Sequence, residues 1–142
     1  MYIYIKDNSV EVRWQQRFSS FEKAFRQLER FLSKTELNEM EGQGLIKAFE
    51  YTYELSWKTL QDLLMEKGYK DIIGPRPVIE QSFQDGYIKN GKDWSKMHIS
   101  RNLTSHTTYD EETAKEVIKE IRNTYFGLLN DLFSTFEKEK NK

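Results

Sequence analysis

The sequence predicts an all-α fold, an antiparallel up-and-down four-helix bundle with an extra short helix. Three observations lead there. Apolar residues recur at alternating spacings of three and four along two long adjacent segments, as they do on a helix with one buried face. The two prolines of the chain both fall in Gly74-Pro75-Arg76-Pro77, and glycines at positions 42, 44, 68, 86 and 91 supply further breaks between helices. Strand-like alternation is confined to the first six residues, where a lone strand has nothing to pair with.

Each element follows from its residues. The opening Tyr/Ile alternation reads as an N-terminal arm over residues 1–11. From about Val12 to Asn38 the stripe is Trp14, Phe18, Phe21, Phe25, Leu28 and Leu32, at spacings 4, 3, 4, 3, 4. From Gly44 to Lys67 it is Ile46, Phe49, Tyr53, Trp57, Leu60 and Leu64, with Gly68 as C-cap. Sustained 3/4 spacing in two consecutive helices favours antiparallel packing. A short third helix starts with Gly74 as N-cap and Pro75 in the first helical position, where a missing N–H costs nothing; Val78, Ile79, Phe83 and Tyr87 follow. Asn90-Gly91 turns the chain, and Asp93 caps a fourth helix through Trp94, Met97 and Leu103. The β-branched pair Thr107-Thr108 before Asp110, a strong N-cap residue, predicts an interruption. The last helix runs from about Glu111 to Glu137 on Ala114, Val117, Ile121, Leu128, Leu132 and Phe136, with Tyr125 alongside. No repeat, linker or composition shift divides the chain. The expectation is one helical domain over 1–142, with the bundle at 12–137 and a frayed tail at 138–142.

Composition bounds the function. A chain of 142 residues with 9 Phe, 8 Tyr and 3 Trp can bury a core without disulfides or metals. A net charge of -1 does not suit a protein that grips long nucleic acid by charge, so any RNA contact is local. The absence of cysteine rules out disulfides and thiolate metal sites and agrees with a reducing cytoplasm. No run approaches the roughly 18 apolar residues of a membrane span, and the opening residues lack the basic region of a signal peptide. The expected location is cytoplasmic, without membrane association. There is no Gly-rich phosphate loop, no Ser-His-Asp order and no paired-Asp nucleotidyltransferase motif, so no cofactor is expected and the chain is not itself a nucleotidyltransferase. His98 and His106 stand about 12 Å apart along a helix and cannot share a metal ion within one chain, so no metal site is expected.

The fourth helix breaks its own pattern. The position that continues its core stripe after Trp94 and Met97 is Arg101, and a guanidinium there needs anionic or polar partners. Asn102 follows, then His106. At about 100° per residue Arg101 and His106 lie about 140° apart, with Asn102 between them, and Tyr109 too if the helix persists. Ile99 and Leu103 border this polar arc near His106, and Trp94 and Met97 border it near Arg101. Arginine can hold a phosphate bidentately, histidine can transfer protons at neutral pH, and asparagine can orient either. That kit suits metal-independent cleavage of RNA, with attack by the 2′-hydroxyl. The reaction wants both a base and an acid, so a two-fold dimer that joins two arcs is expected. An arginine paired with Glu50 or Glu54, beside a histidine that caps a helix end, also accounts for these residues, and spacing alone favours that structural network. The aromatics Tyr51, Tyr53 and Trp57 read as core more readily than as a base-stacking platform. Arg76 reads as a solvated surface residue, and the Glu/Lys alternation of the last helix as a wet face.

Several segments together resemble one family: Arg13-Trp14-Gln15-Gln16-Arg17-Phe18; Gln43-Gly44-Leu45-Ile46-Lys47-Ala48-Phe49-Glu50-Tyr51; Gly74-Pro75-Arg76-Pro77-Val78-Ile79; and Ser100-Arg101-Asn102-Leu103-Thr104-Ser105-His106-Thr107. They are similar to the nucleotidyltransferase substrate-binding proteins, part of the wider HEPN group, from about residue 12 to 136. The resemblance implies a dimerising four-helix bundle and a separate minimal nucleotidyltransferase (MNT) partner. One function it implies is a toxin-like ribonuclease that uses an R-x4-6-H motif and is silenced when its partner adds AMP to a nearby tyrosine. The alternative it implies is a non-enzymatic subunit that presents substrate to the transferase. By position, Arg101 and His106 become the catalytic pair, Asn102 the polar residue that follows the arginine, and Tyr109 the AMP acceptor. The family commonly reads His-x-Tyr; here Ser105-His106-Thr107-Thr108-Tyr109-Asp110 is one residue longer, which turns the tyrosine about 100° further round a continuing helix.

Overall fold

The first helix, α1 (Tyr2–Leu32), starts ten residues before the periodic stripe does. The structure is a computed structural model that describes residues 2–106 and 110–142, with side chains at 13–105 and 110–142. Residues 2–11, expected as an arm, continue α1. A helix satisfies its own backbone hydrogen bonds, whereas a solitary strand cannot. At its other end α1 stops at Leu32 rather than Asn38. Asn38 instead N-caps α2 (Glu39–Glu66): its side chain accepts from the Glu41 N–H at 2.8 Å, and the Glu41 carboxylate accepts from the Asn38 N–H at 2.9 Å. This reciprocal pair starts α2 five residues before the expected Gly44. Gly42 and Gly44 therefore lie inside the helix. A Cβ on Gly44 would come within 2.8 Å of Phe31 Cζ, so its absence makes room for the Phe31 ring.

The ends of α2 and of α3 (Pro75–Gln84) share one device. Gly68 and Gly86 sit at φ +108 and +85, a region other residues avoid. The N–H groups of Gly68 and Tyr69 bond back to Met65 and Leu64, and those of Gly86 and Tyr87 to Phe83 and Ser82, which satisfies the last carbonyls of each helix. Gly74 and Pro75 open α3 as the sequence indicates. Next come α4 (Gly91–His106) and α5 (Glu111–Glu120), the latter capped by Asp110, whose carboxylate accepts from the Thr113 N–H at 2.8 Å. A π-helical turn (Ile121–Tyr125) joins α5 to α6 (Phe126–Lys140). The tail expected to fray is helical to Lys140, and Glu139 pairs with Lys67 at 3.3 Å and Lys142 at 2.9 Å.

The fold is all-helical, with α1 packed along α2, α6 against both, and α4 and α5 against α2. Phe18, Phe21 and Phe25 of α1 meet Phe126, Phe133 and Phe136 of α6 at centroid separations between 5.1 and 6.5 Å, within the range where ring pairs attract beyond simple burial. A second aromatic group, Phe49, Tyr53, Trp94 and Tyr125, fills the space under α4. The π turn places Tyr125 there. The extra residue rotates it onto Phe49, with ring centroids 5.5 Å apart, and its hydroxyl lies 2.7 Å from Ser100 Oγ. Arg122 of the same turn donates to the carbonyls of Leu32 at 3.1 Å and Lys34 at 2.6 Å, closing the C-terminal end of α1. Among the described residues no helix is long and apolar enough to cross a membrane.

Candidate functional site

The face of α4 that meets α2 changes character along its length. Trp94 and Met97 are buried in the core. One and two turns further on, the same stripe carries Arg101 and Thr104, and α2 answers with carboxylates. Thr104 Oγ1 donates to Glu50 Oε2 at 2.6 Å, and both residues are buried. Arg101 Nη2 lies 3.1 Å from Glu54 Oε2, with both side chains partly exposed. The structural pairing anticipated for Arg101 is therefore present, with Glu54 as the partner.

Arg101 is not fully engaged by it. Its Nη1 makes only long contacts, 3.4 Å each, to Asn102 Oδ1 and Ser105 Oγ. Its Nε is buried and has no hydrogen-bond partner among the described residues. The guanidinium borders a cavity of about 360 Å³ whose lining includes Arg17, Lys47, Glu54, Lys58 and Ser105. Arg17 is held by the buried Asp62, with Nε 2.7 Å from Oδ2. Lys47 and Lys58 reach Glu50 and Glu54 at 3.6 Å and keep much of their surface in solvent. With Arg17, Lys47, Lys58 and Arg101 set against Glu50 and Glu54, such a cavity suits one anionic group. An anionic oxygen drawn to Arg101 would meet Nη1, whose contacts within the protein are long. Among the described residues no cluster of three or more His, Asp or Glu side chains is placed to hold a metal ion.

The structure thus brings Arg101 and Asn102 together on one polar arc. The helical backbone carries His106 at the end of α4, while its ring, and Tyr109 entirely, lie outside the described residues. Ile99 and Leu103, expected to flank the arc as apolar borders, do so from the solvent side, 59% and 52% exposed. The aromatics of α2 divide: Tyr53 is buried, Trp57 is half-buried, and Tyr51 is 65% exposed at the mouth of the Arg101 cavity.

Sequence reasoning missed His98, which it considered only as a metal ligand. His98 stands about 60° from Arg101 around the helix and four residues before Asn102, inside the polar arc. Its Nδ1 lies 2.8 Å from the hydroxyl of Tyr53 and its Nε2 lies 3.2 Å from Asn102 Nδ2. Burial first, then the nearby charges of Arg76 and Arg101, depress its pKa; Glu54 opposes them. Burial also raises the pKa of Tyr53, so its phenol stays protonated. A continuous polar chain results: Tyr53, His98, Asn102, Arg101, Glu54.

Fold and site together define a class: a small helical bundle whose fourth helix presents an arginine, with an asparagine beside it, to a cavity edged by basic residues. The chain belongs to the family described as nucleotidyltransferase substrate binding protein like, which it matches over residues 16–138. It is 34% identical over 82 residues to a protein of Haemophilus influenzae named probable ribonuclease HepT. That match covers 55% of this chain and 56% of the relative, so the chain spans about half the length of the curated relative it matches. A solved structure from Thermus thermophilus superposes with a TM-score of 0.73 at 28% identity, over 80% of this chain and 96% of that one. Another, from Haemophilus influenzae, is described as revealing the fold of a substrate binding domain of a nucleotidyltransferase. It superposes with a TM-score of 0.74 at 24% identity, over 84% of this chain and 98% of that one, which supports the fold.

Proposed function

We propose that this chain is the HEPN half of a HEPN/MNT pair, a toxin-like, metal-independent ribonuclease that a minimal nucleotidyltransferase partner silences. The observation that carries this reading is the under-satisfied Arg101 guanidinium, with Asn102 beside it, at a cavity rimmed by Arg17, Lys47 and Lys58. The family membership and the name of the Haemophilus influenzae relative support it.

In this reading a phosphate of single-stranded RNA enters the cavity and Arg101 stabilises charge on its non-bridging oxygens. One His106 takes the proton of the 2′-hydroxyl, whose oxygen attacks phosphorus. A second His106, protonated, gives a proton to the departing 5′-oxygen. The products are a 2′,3′-cyclic phosphate and a 5′-hydroxyl. Two histidines imply two copies of the chain, and the exposed Ile99 and Leu103 on the His106 side of α4 suit burial in a homodimer. In this reading Lys47 and Lys58 would meet flanking phosphates, and the exposed Tyr51 would stack on an unpaired base. AMP added to Tyr109 would bring bulk and negative charge close to the arc and keep RNA out.

Purified protein incubated with single-stranded RNA in excess chelator tests the reading. Cleavage to cyclic-phosphate ends is expected, with Arg101→Ala or His106→Ala slowing it by about 100-fold or more. The same substitutions should relieve any growth inhibition on expression. Folded dimer that leaves RNA intact, or variants that cleave as well as the parent, would remove the nuclease. The family description favours a second reading, a non-enzymatic subunit whose cavity presents substrate to the transferase. It predicts no cleavage and a partner transferase that works only with this chain present.

A further inference from the structure

One arrangement of protons satisfies the side-chain contacts from Arg101 back to His98 under α4. Arginine donates and never accepts. The Asn102 atom facing Arg101 Nη1 must therefore be the amide oxygen, Oδ1. That leaves Nδ2, a donor, facing His98 Nε2 at 3.2 Å. A nitrogen that accepts from an amide N–H carries no proton of its own. A neutral imidazole has one N–H, so it sits on Nδ1 and donates to the Tyr53 hydroxyl oxygen at 2.8 Å. The reverse tautomer would let the Tyr53 hydroxyl donate to Nδ1, at the cost of the contact between Nε2 and the amide. A proton on Nε2, in the other neutral tautomer or in the imidazolium, would set N–H against the amide N–H. The amide could escape only by turning over, and it would then point N–H groups at the Arg101 guanidinium.

We infer that His98 is a positioning residue: its bare Nε2 fixes the rotation of the Asn102 amide, and the amide oxygen thereby holds the Arg101 guanidinium at the cavity. Tyr53 completes the device. It is buried beneath His98, and its hydroxyl oxygen accepts from Nδ1–H when Nε2 is the bare nitrogen. The charged groups around the ring are Glu54 on α2, Arg76 on α3 and Arg101 on α4. The two cations disfavour a second proton on the ring, in keeping with the arrangement. A purely structural histidine would need only to fill space and satisfy its own nitrogens. Here the tautomer itself passes down the chain to the arginine.

The consequence for catalysis rests on the ribonuclease reading; the proton arrangement does not. Long-range proton–nitrogen NMR of the imidazole rings separates them. The chain has only 2 histidines, and His106→Ala assigns the spectrum. At neutral pH His98 should appear as the neutral, Nδ1-protonated form. An Nε2-protonated ring, or an imidazolium, overturns the inference whatever the activity. His98→Gln keeps an acceptor near the Nε2 position, and His98→Leu does not. The Arg101 guanidinium signals of the glutamine variant should resemble those of the parent, and those of the leucine variant should broaden or shift. In the cleavage assay the leucine variant should lose about tenfold or more in kcat, as a mispositioned group does, and the glutamine variant should recover most of it. Equal losses in both variants would overturn the inference. If the leucine variant does not fold, the parent tautomer and the glutamine variant decide. If the parent cleaves no RNA, the nuclease falls and the tautomer and guanidinium signals judge this inference alone.

Discussion

Replacing Arg101 with alanine separates an arginine kept for chemistry from one kept for the fold. The structure sets the stability cost. The ion pair with Glu54 spans 3.1 Å, but the two side chains are 26% and 29% exposed, so solvent screens it to about 0–1 kcal/mol. The contacts to Asn102 and Ser105, at 3.4 Å, lie at the edge of hydrogen-bonding range; they orient the guanidinium but add little to stability. Nε has no partner, so its removal strands no acceptor. The total is about 1 kcal/mol or less. With a urea dependence of about 1–3 kcal/mol per molar, the unfolding midpoint should fall by roughly 0.5 M. Thr104→Val, two residues beyond Asn102, provides the comparison. It removes a 2.6 Å bond to a buried carboxylate at nearly constant shape and should cost about 1.5–3 kcal/mol. Urea denaturation followed by tryptophan fluorescence measures both. If Arg101→Ala loses more than Thr104→Val, or fails to fold, the guanidinium is a structural tie and the functional reading of the cavity loses its basis.

Two further expectations concern other parts of the network. The folded pKa of His98 lies below the unfolded value of about 6.5. On acidification the unfolded chain therefore takes up the proton first, so this group's contribution to stability is complete above about pH 6.5 and is lost as pH falls through the folded pKa. Urea midpoints between pH 7.5 and 5 should decline in the parent and less steeply in His98→Gln; identical slopes would contradict the assignment. Arg122→Ala removes two charge-assisted bonds to the carbonyls that end α1 and should cost about 1–2 kcal/mol. Faster amide exchange around Leu32 and Lys34 should accompany the loss, and a change that spares this corner would show that the contact carries no load.

The stripes of α1 and α2 were legible because they are written in large apolar residues at helical spacing. Trp14, Phe18, Phe21, Phe25 and Leu28 are all buried, as are Ile46, Phe49, Tyr53, Leu60 and Leu64. Boundaries were less so. Asn38 resembles the end of one helix until Glu41, three residues on, is read as its capping partner. The π turn leaves no mark on periodicity, since one extra residue between Ile121 and Leu128 reads as ordinary drift. In the site, Arg101 stood out because it interrupts an apolar stripe, and Asn102 because it follows on the same polar arc. His98 did not, because its meaning depends on Tyr53, 45 residues away. Thr104 was hidden for the same reason: a hydroxyl on a core stripe is unremarked until Glu50 is found across from it.

The division of α4 into a greasy half and a hydrogen-bonded half has a mechanical consequence. Around Trp94 and Met97 the helix is seated by burial, and lifting it there exposes hydrocarbon that water cannot accommodate cheaply. Around Arg101 and Thr104 it is seated by donors and acceptors, which water can replace one for one at small net cost. The helix is thus clamped at its beginning and latched at its end. A guest that offers better acceptors than Glu50 and Glu54 could open the latch without disturbing the clamp.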